Sequence, residues 1–313
     1  MNKPSYNAYK AFGLNIESEI PLPGLEQGES PADVVIRYRD ALYEGAPGTP
    51  DQTLEIVGDS AHIFSDVSGT ISVIGGREIV VDPVPGIETS TLQSYLIGLV
   101  FAVLLHQRGY SVLHGSAISI EGRAVLFLGN SGAGKSTLAG AFHRQGKPLV
   151  SDDVTPVDCT AGQIMVLPGC PYLKLWPGSV NLLQYDLSSL PAILHNRAKR
   201  RLNTNNFSQD PVPLGQIYIL ANEDCVQLTT LTPREALLEL VRHSHSGEWL
   251  DATKNYSHFL SCSRIANTVS IKRLAVQHTP EALERAMELV GEDLRLLTAK
   301  ANSHSPSTVG SVN

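Results

Sequence analysis

Cysteine is scarce in this chain of 313 residues: the four, at positions 159, 170, 225 and 262, show no C-x-x-C spacing and follow no secretory signal. Neither a disulfide framework nor a zinc site is indicated, and a reduced, cytoplasmic setting is expected. Positive charge is in short supply as well. With 24 Lys and Arg against 31 Asp and Glu the net charge is −7, and the Lys199-Arg200-Arg201 cluster is too short to reverse it. A nucleic-acid partner is disfavoured. Long hydrophobic runs are also missing. The most apolar segment, Tyr95 to Leu105, has about eleven residues where a bilayer needs about 20, so it reads as a buried helix of a protein with no membrane partner. What remains is the composition of a globular protein, with material for one large domain or two ordinary ones.

Against these absences one stretch stands out. Gly129-Asn130-Ser131-Gly132-Ala133-Gly134-Lys135-Ser136-Thr137 fills every fixed position of the phosphate-binding loop G-x-x-x-x-G-K-[ST]. Its glycines let backbone N–H groups close around phosphates, Lys135 reaches the β/γ oxygens, and Ser136 takes a place on Mg²⁺. ATP and Mg²⁺ are the expected cofactors. The flanks suit the loop: Arg123 to Leu128 is a short apolar run fit for a buried strand, and Ser136 to Gln145 predicts a helix ended by Gly146.

Upstream, Val34 to Tyr38, Thr53 to Val57, His62 to Phe64, Thr70 to Ile74 and Glu78 to Val81 alternate with turn material such as Gly45 to Pro50, Gly58-Asp59 and Gly75-Gly76. They predict a small antiparallel β region. Ser90 to Gln107 follows as an apolar helix, and Ser111 to Ile120 with Arg123 to Leu128 forms a hairpin-like pair leading into the loop. Lys147 to Val150 is the next short strand, ending at Ser151-Asp152-Asp153. The polar stretch Leu183 to Pro213 reads as a mobile loop, and Ile217 to Leu220 as a strand. Thr232-Pro-Arg-Glu235 is a capping box with Pro at the first helical position, and Thr279-Pro280 starts a helix to about Ala299. The Ser/Thr-rich tail is expected to be disordered. The domain division is therefore 1–88, a β-rich N-terminal domain; 89–300, a phosphate-loop domain; and 301–313, the tail.

In a doubly wound arrangement the strand after the loop helix lies beside the loop strand, with Asp152 and Asp153 at the phosphates. One carboxylate can then hold metal while the other accepts a proton from an attacking hydroxyl; the plainer alternative is that both cap the next turn. Taken alone, His114 reads as a packed strand residue. The pair His243 and His245, without a third ligand, reads as the polar end of a helix. Lys174, Lys199, Arg200 and Arg201 are cations able to cross to a triphosphate or to remain solvated.

Leu113-His114-Gly115-Ser116, the loop Gly129 to Thr137, and Leu149-Val150-Ser151-Asp152-Asp153-Val154 together resemble the HPr kinase/phosphorylase family. The resemblance implies an α/β fold: a P-loop kinase domain of the HPr kinase/phosphoenolpyruvate carboxykinase-like type with a mixed sheet, preceded here by the β-rich region. It implies that Lys135 binds phosphates, that Ser136 and Asp152 serve the metal, that His114 helps position the transfer site and that Asp153 is the base. Lys199 and Arg200 join the loop as nucleotide-binding residues. Leu167-Pro-Gly-Cys-Pro-Tyr-Leu-Lys-Leu-Trp176 carries no acidic residue where the bifunctional enzymes have a Glu-containing signature, which argues against phosphorolysis and against HPr as substrate. That segment, with Tyr9 to Leu14 and Ser18 to Gly24, is instead similar to HPr-kinase-related proteins, some of which phosphorylate a serine on lasso peptide precursors. The expectation is an ATP/Mg-dependent serine kinase acting on a peptide or small protein. A small-metabolite kinase and a nucleotide-dependent switch remain the alternatives, and a homo-oligomer is compatible with the sequence.

Overall fold

The computed structural model describes residues 6–39, 53–193, 196–245 and 252–303. Its N-terminal sheet contains β1 (Asn7–Ala11), β2 (Leu14–Ser18), β3 (Glu26–Gln27), β4 (Val34–Tyr38), β5 (Thr53–Val57), β6 (Ser60–Ser65), β7 (Gly69–Ile74) and β8 (Glu78–Asp82), in the order β3-β1-β2-β4-β8-β7-β6-β5. Strands β5 to β8 form the expected antiparallel meander. The sheet as a whole is mixed, because β4 pairs in parallel with both β2 and β8, and this corrects the purely antiparallel reading. Parallel partners are joined by crossovers, which leave no hairpin signal in the sequence. The turn material of Gly45 to Pro50 lies outside the described residues.

Leu14 and Ile16 of β2 and Val34 and Ile36 of β4 alternate inward and are buried. Against that face runs one continuous helix made of α1 (Thr89–Tyr95), a π-helical turn (Leu96–Val100) and α2 (Phe101–Gln107). Leu92, Leu96, Val100 and Leu104 recur at every fourth position and share the sheet's core, and Phe101 stacks on Phe12 with ring centroids 5.1 Å apart. Each such burial contributes about 1.5–3 kcal/mol. The helix outruns the apolar run that announced it. At 19 residues it is long and apolar enough to cross a membrane by length and composition, yet half of its most apolar window is buried inside the protein.

The C-terminal part holds β9 (Ser111–Ile120), β10 (Arg123–Leu128), α3 (Lys135–Arg144), β11 (Leu149–Asp158), β12 (Met165–Val166), β13 (Tyr172–Leu175), α4 (Pro177–Leu182), β14 (Ala192–Ile193), β15 (Asn196–Asn203), β16 (Val212–Ala221), β17 (Gln227–Thr230), α5 (Pro233–Arg242), α6 (Ala252–Thr268), β18 (Ile271–Ala275) and α7 (Pro280–Ser303). The second sheet has the order β10-β9-β11-β12-β16-β18-β17, and β16 also pairs with β10, so β10, β9, β11, β12 and β16 close into a cycle. Both faces are covered. Ala124, Leu126 and Leu128 of β10 pack toward α5 and α6, while Val125 and Phe127 pack toward α3 and α7. That is why this strand reads as an unbroken apolar run.

The hairpin β9–β10, the helix after the loop and the capping box of α5 all form as expected. Two expectations are corrected. The strand after the loop helix runs through Asp152 and Asp153 to Asp158 and pairs with β9, so β9 separates it from the loop strand. The stretch Leu183 to Pro213 contains β14 and β15, and β15 pairs with β13 and β14 in a third, antiparallel sheet. Helix α7 runs on to Ser303, and the rest of the tail lies outside the described residues.

Candidate active site

Strand β9 fixes the level of everything in this site. Gly115 stands opposite both Leu128, the last residue of the loop strand, and Asp153 on the other side, while Ser116 stands opposite Asp152. The acidic pair thus reaches the loop through an intervening strand. Position 115 requires glycine, because a Cβ there would lie 2.5 Å from Leu128 Cδ2 and 2.9 Å from the Phe127 carbonyl oxygen. The loop then turns into α3 at Gly134, whose φ of +96° suits a residue without Cβ and whose lack of a side chain leaves the first helical N–H groups uncapped. Lys135 Nζ donates to the carbonyls of Gly129 (2.8 Å) and Asn130 (3.0 Å), which leaves one of its three protons for another acceptor.

Neighbouring residues of a regular strand point to opposite faces, but Asp153 has φ +72°, a conformation that costs a non-glycine residue about 1–3 kcal/mol. Both carboxylates consequently meet Lys174: Asp152 Oδ2 accepts its backbone N–H and Asp153 Oδ2 its ammonium, each at 2.7 Å. Asp152 Oδ1 accepts from Ser116 (2.6 Å) and Ser136 (2.7 Å). Burial pushes Asp152 above the usual carboxylate range, against the pull of the Lys174 N–H and the two hydroxyls. Burial acts the same way on Asp153, but the Lys174 ammonium, with His114 and His245, outweighs it and holds that carboxyl well below the range. Lys174, which burial alone would lower, is raised by Asp153.

His114 Nδ1 lies 3.6 Å from Asp153 Oδ1 and 3.3 Å from His245 Nε2. His245 Nε2 is 2.9 Å from the Asp153 carbonyl oxygen, which only accepts, so this nitrogen carries the proton in the neutral ring. Burial lowers His114 to about 3, with Asp153 pulling the other way, and lowers His245 as well. Both rings are therefore neutral near pH 7.

A cavity of 720 Å³ is lined by Ser131, Gly132, Gly134, Lys135, Ser136 and Thr137 on one wall and by Lys174, Trp176, Ser179, Asn181 and Lys199 on the other, with His114 and Asp153 between them. Asp152 lies behind it, buried. Lys199 holds its ammonium 5.2 Å from the centre of the Trp176 ring. Arg200 is not brought here: strand alternation sends it away from Lys199 and Arg201, and it does not line the cavity. His245 is the residue that reading by sequence spacing missed. Its neighbour His243 does end α5 and bonds Glu239, but His245 crosses to β11 through a contact 92 positions away in sequence, which no local spacing announces.

Two places could take a metal. Ser136 Oγ and Asp152 Oδ1 are hard oxygen donors 2.7 Å apart, a pairing suited to Mg²⁺. His114, Asp153 and His245 offer ligand atoms within 4.8 Å of one another, a nitrogen-rich set suited to a transition metal. There, however, His245 Nε2 is engaged with a carbonyl and Asp153 with Lys174.

No family model matches the chain. No curated protein matches it either. Among solved structures it is similar to the Hpr(Ser) kinase/phosphatase from Coxiella burnetii, with 14% identity over 59% of this chain and 97% of that one and a TM-score of 0.32. A similarity that low passes neither fold nor activity from one protein to the other.

Proposed function

We propose that this chain is an ATP- and Mg²⁺-dependent phosphotransferase that phosphorylates a hydroxyl of a peptide or small protein. The observation that carries the reading is the meeting of a phosphate loop with a carboxylate pair of opposite electrostatic character, Asp153 in the cavity wall and Asp152 behind it on Ser136. The uncapped N-terminus of α3 and the remaining proton of Lys135 fit a polyphosphate, and Ser136 with Asp152 fits its Mg²⁺. Bound MgATP would supply the γ-phosphoryl group: the acceptor oxygen bonds to phosphorus as the bridging oxygen leaves with ADP.

Asp152 is the stronger base of the pair by its environment, but three hydrogen bonds occupy it behind the cavity wall. Asp153 faces the cavity, so access decides for it. A carboxylate held so low is a weak proton acceptor. Its task is to orient the hydroxyl and take its proton late, which suits a transition state with little demand for base strength. Lys174 keeps Asp153 ionised, and Lys199 faces the transferring group. His114 positions Asp153 as a neutral ring. A serine is the acceptor residue that the family resemblance names, that of a lasso peptide precursor included.

The test is incubation with γ-labelled ATP, Mg²⁺ and a panel of serine peptides, small proteins and small hydroxyl metabolites, read by mass spectrometry. Gain of one phosphoryl group on a peptide or protein, lost in Asp153→Asn, supports the reading. Transfer to a metabolite alone would make this a metabolite kinase. ATP turnover that needs no acceptor and responds to a protein partner would make it a switch.

A further inference from the structure

A second cavity, of 240 Å³, lies beside the first along the same face of the β13–β15 hairpin and shares Lys174 with it. Leu22 and Leu25 of the segment between β2 and β3, Ile97 of the π-helical turn and Ile193 of β14 make its apolar walls. Lys174 and Arg201 stand directly opposite each other in the β13–β15 register. Like charges in that position repel unless each meets an anion. Lys174 meets Asp153. Arg201 lies over the Tyr172 ring at 5.6 Å and donates Nη1 to the Pro23 carbonyl at 3.0 Å; among the described residues no carboxylate pairs with it, and its buried Nε has no hydrogen-bond partner. A guanidinium so placed matches a carboxylate, whose two oxygens meet two parallel N–H groups.

We infer that this second cavity seats the phosphoryl acceptor, and that the acceptor carries a carboxylate beside an apolar portion. This rests on the kinase reading above and adds the acceptor's chemistry and place. The carboxylate binds Arg201, the apolar portion lies on Leu22, Ile97 and Ile193, and the hydroxyl is directed past Lys174 toward Asp153. The volume is below the roughly 300 Å³ at which pockets for whole drug-sized ligands begin, so it holds a short hydroxy acid or the last residue or two of a peptide. The N-terminal sheet thereby gains a task. Its Leu22 to Leu25 segment walls the acceptor site, and its Pro23 carbonyl holds Arg201 in place.

The test is ligand-observed NMR on the full chain with Mg²⁺ and a non-hydrolysable ATP analogue, using two probes, N-acetyl-leucyl-serine and 2-hydroxyisocaproate, each as free acid and as carboxamide. At least one acid is expected to bind about tenfold or more tightly than its amide. Arg201→Gln should abolish that preference, and Arg201→Lys should keep it in weakened form, with thermal melting showing both variants folded. Binding of the peptide acid alone points to a chain terminus, and of the hydroxy acid alone to a metabolite. Equal binding of acid and amide, no binding of either acid, or a preference that survives in Arg201→Gln would overturn the inference. Phosphoryl transfer to an acceptor with no acid preference would leave the kinase reading standing and remove this one. An acid preference in a chain that binds no MgATP would overturn the kinase reading and the acceptor role, leaving an anion site.

Discussion

The two walls of the main cavity are made in opposite ways. The loop wall, Gly129 to Thr137 between β10 and α3, is local: glycine conformation, helix start and lysine all lie within nine consecutive residues. The hairpin wall, with Lys174, Trp176 and Lys199, owes its place to pairings of β13 with β15 and to the hydrogen bonds of Lys174 with two aspartates more than 20 positions away. The difference separates what each wall does. In the proposed reading the loop wall holds an anion by backbone, and the hairpin wall sets the charge state of the carboxylate between them.

The largest expected effect lies on that carboxylate. Asp153→Asn should lower phosphoryl transfer by about 10²- to 10⁴-fold, the usual worth of a positioned acid or base, and steady-state rates against the identified acceptor would show it. Unchanged transfer would dissolve the contrast between the walls. Next is Lys174→Met, which leaves Asp153 charged without its ammonium. Breaking such a pair costs about 3–5 kcal/mol, measurable as a fall in the urea midpoint, and the matching Lys199→Met change on the same wall should cost far less because, among the described residues, its ammonium is seen to meet only a ring.

Acid should weaken the fold through its buried histidines. Histidines 106, 114, 243, 245 and 258 are all lowered, chiefly by burial, His106 and His114 to about 3. In the unfolded chain each takes a proton near pH 6.5, while the folded state refuses it. Stability is therefore full above that pH and falls as pH drops below it, by up to about 1.4 kcal/mol per pH unit for each fully refusing histidine. Melting temperature should decline between pH 7 and pH 5; a flat profile would mean these rings protonate in the folded state. The smallest effect is expected from Lys199→Ala, a few-fold rise in the nucleotide KM, consistent with about 0.5–1 kcal/mol for a partly exposed cation on a ring.

The same contrast explains what could be read from the sequence. The loop and its flanking strand and helix were legible because glycine, apolar run and helix ending act over a few residues, and so was the capping box at Thr232. Strand β15 was not: Asn196 to Asn203 is polar and basic, and its long cations hide the alternation that would mark a strand. The passage of β11 through the acidic pair was concealed by the left-handed residue at Asp153, a backbone state that no composition rule assigns to aspartate within a strand. His245 reached the site by tertiary contact alone. The parallel pairs of the N-terminal sheet were hidden for the reason that parallel pairs usually are, the absence of a turn between partners.

The most direct measurement is calorimetric titration of Mg²⁺ with a non-hydrolysable ATP analogue into the wild-type chain, Lys135→Met and Asp153→Asn. If the loop wall holds nucleotide and the carboxylate serves transfer, the wild type binds, Lys135→Met loses affinity by about 100-fold or more, and Asp153→Asn stays within about threefold of the wild type. A wild-type chain that binds no nucleotide, or an Asp153→Asn chain that loses it as severely as Lys135→Met, would contradict the account.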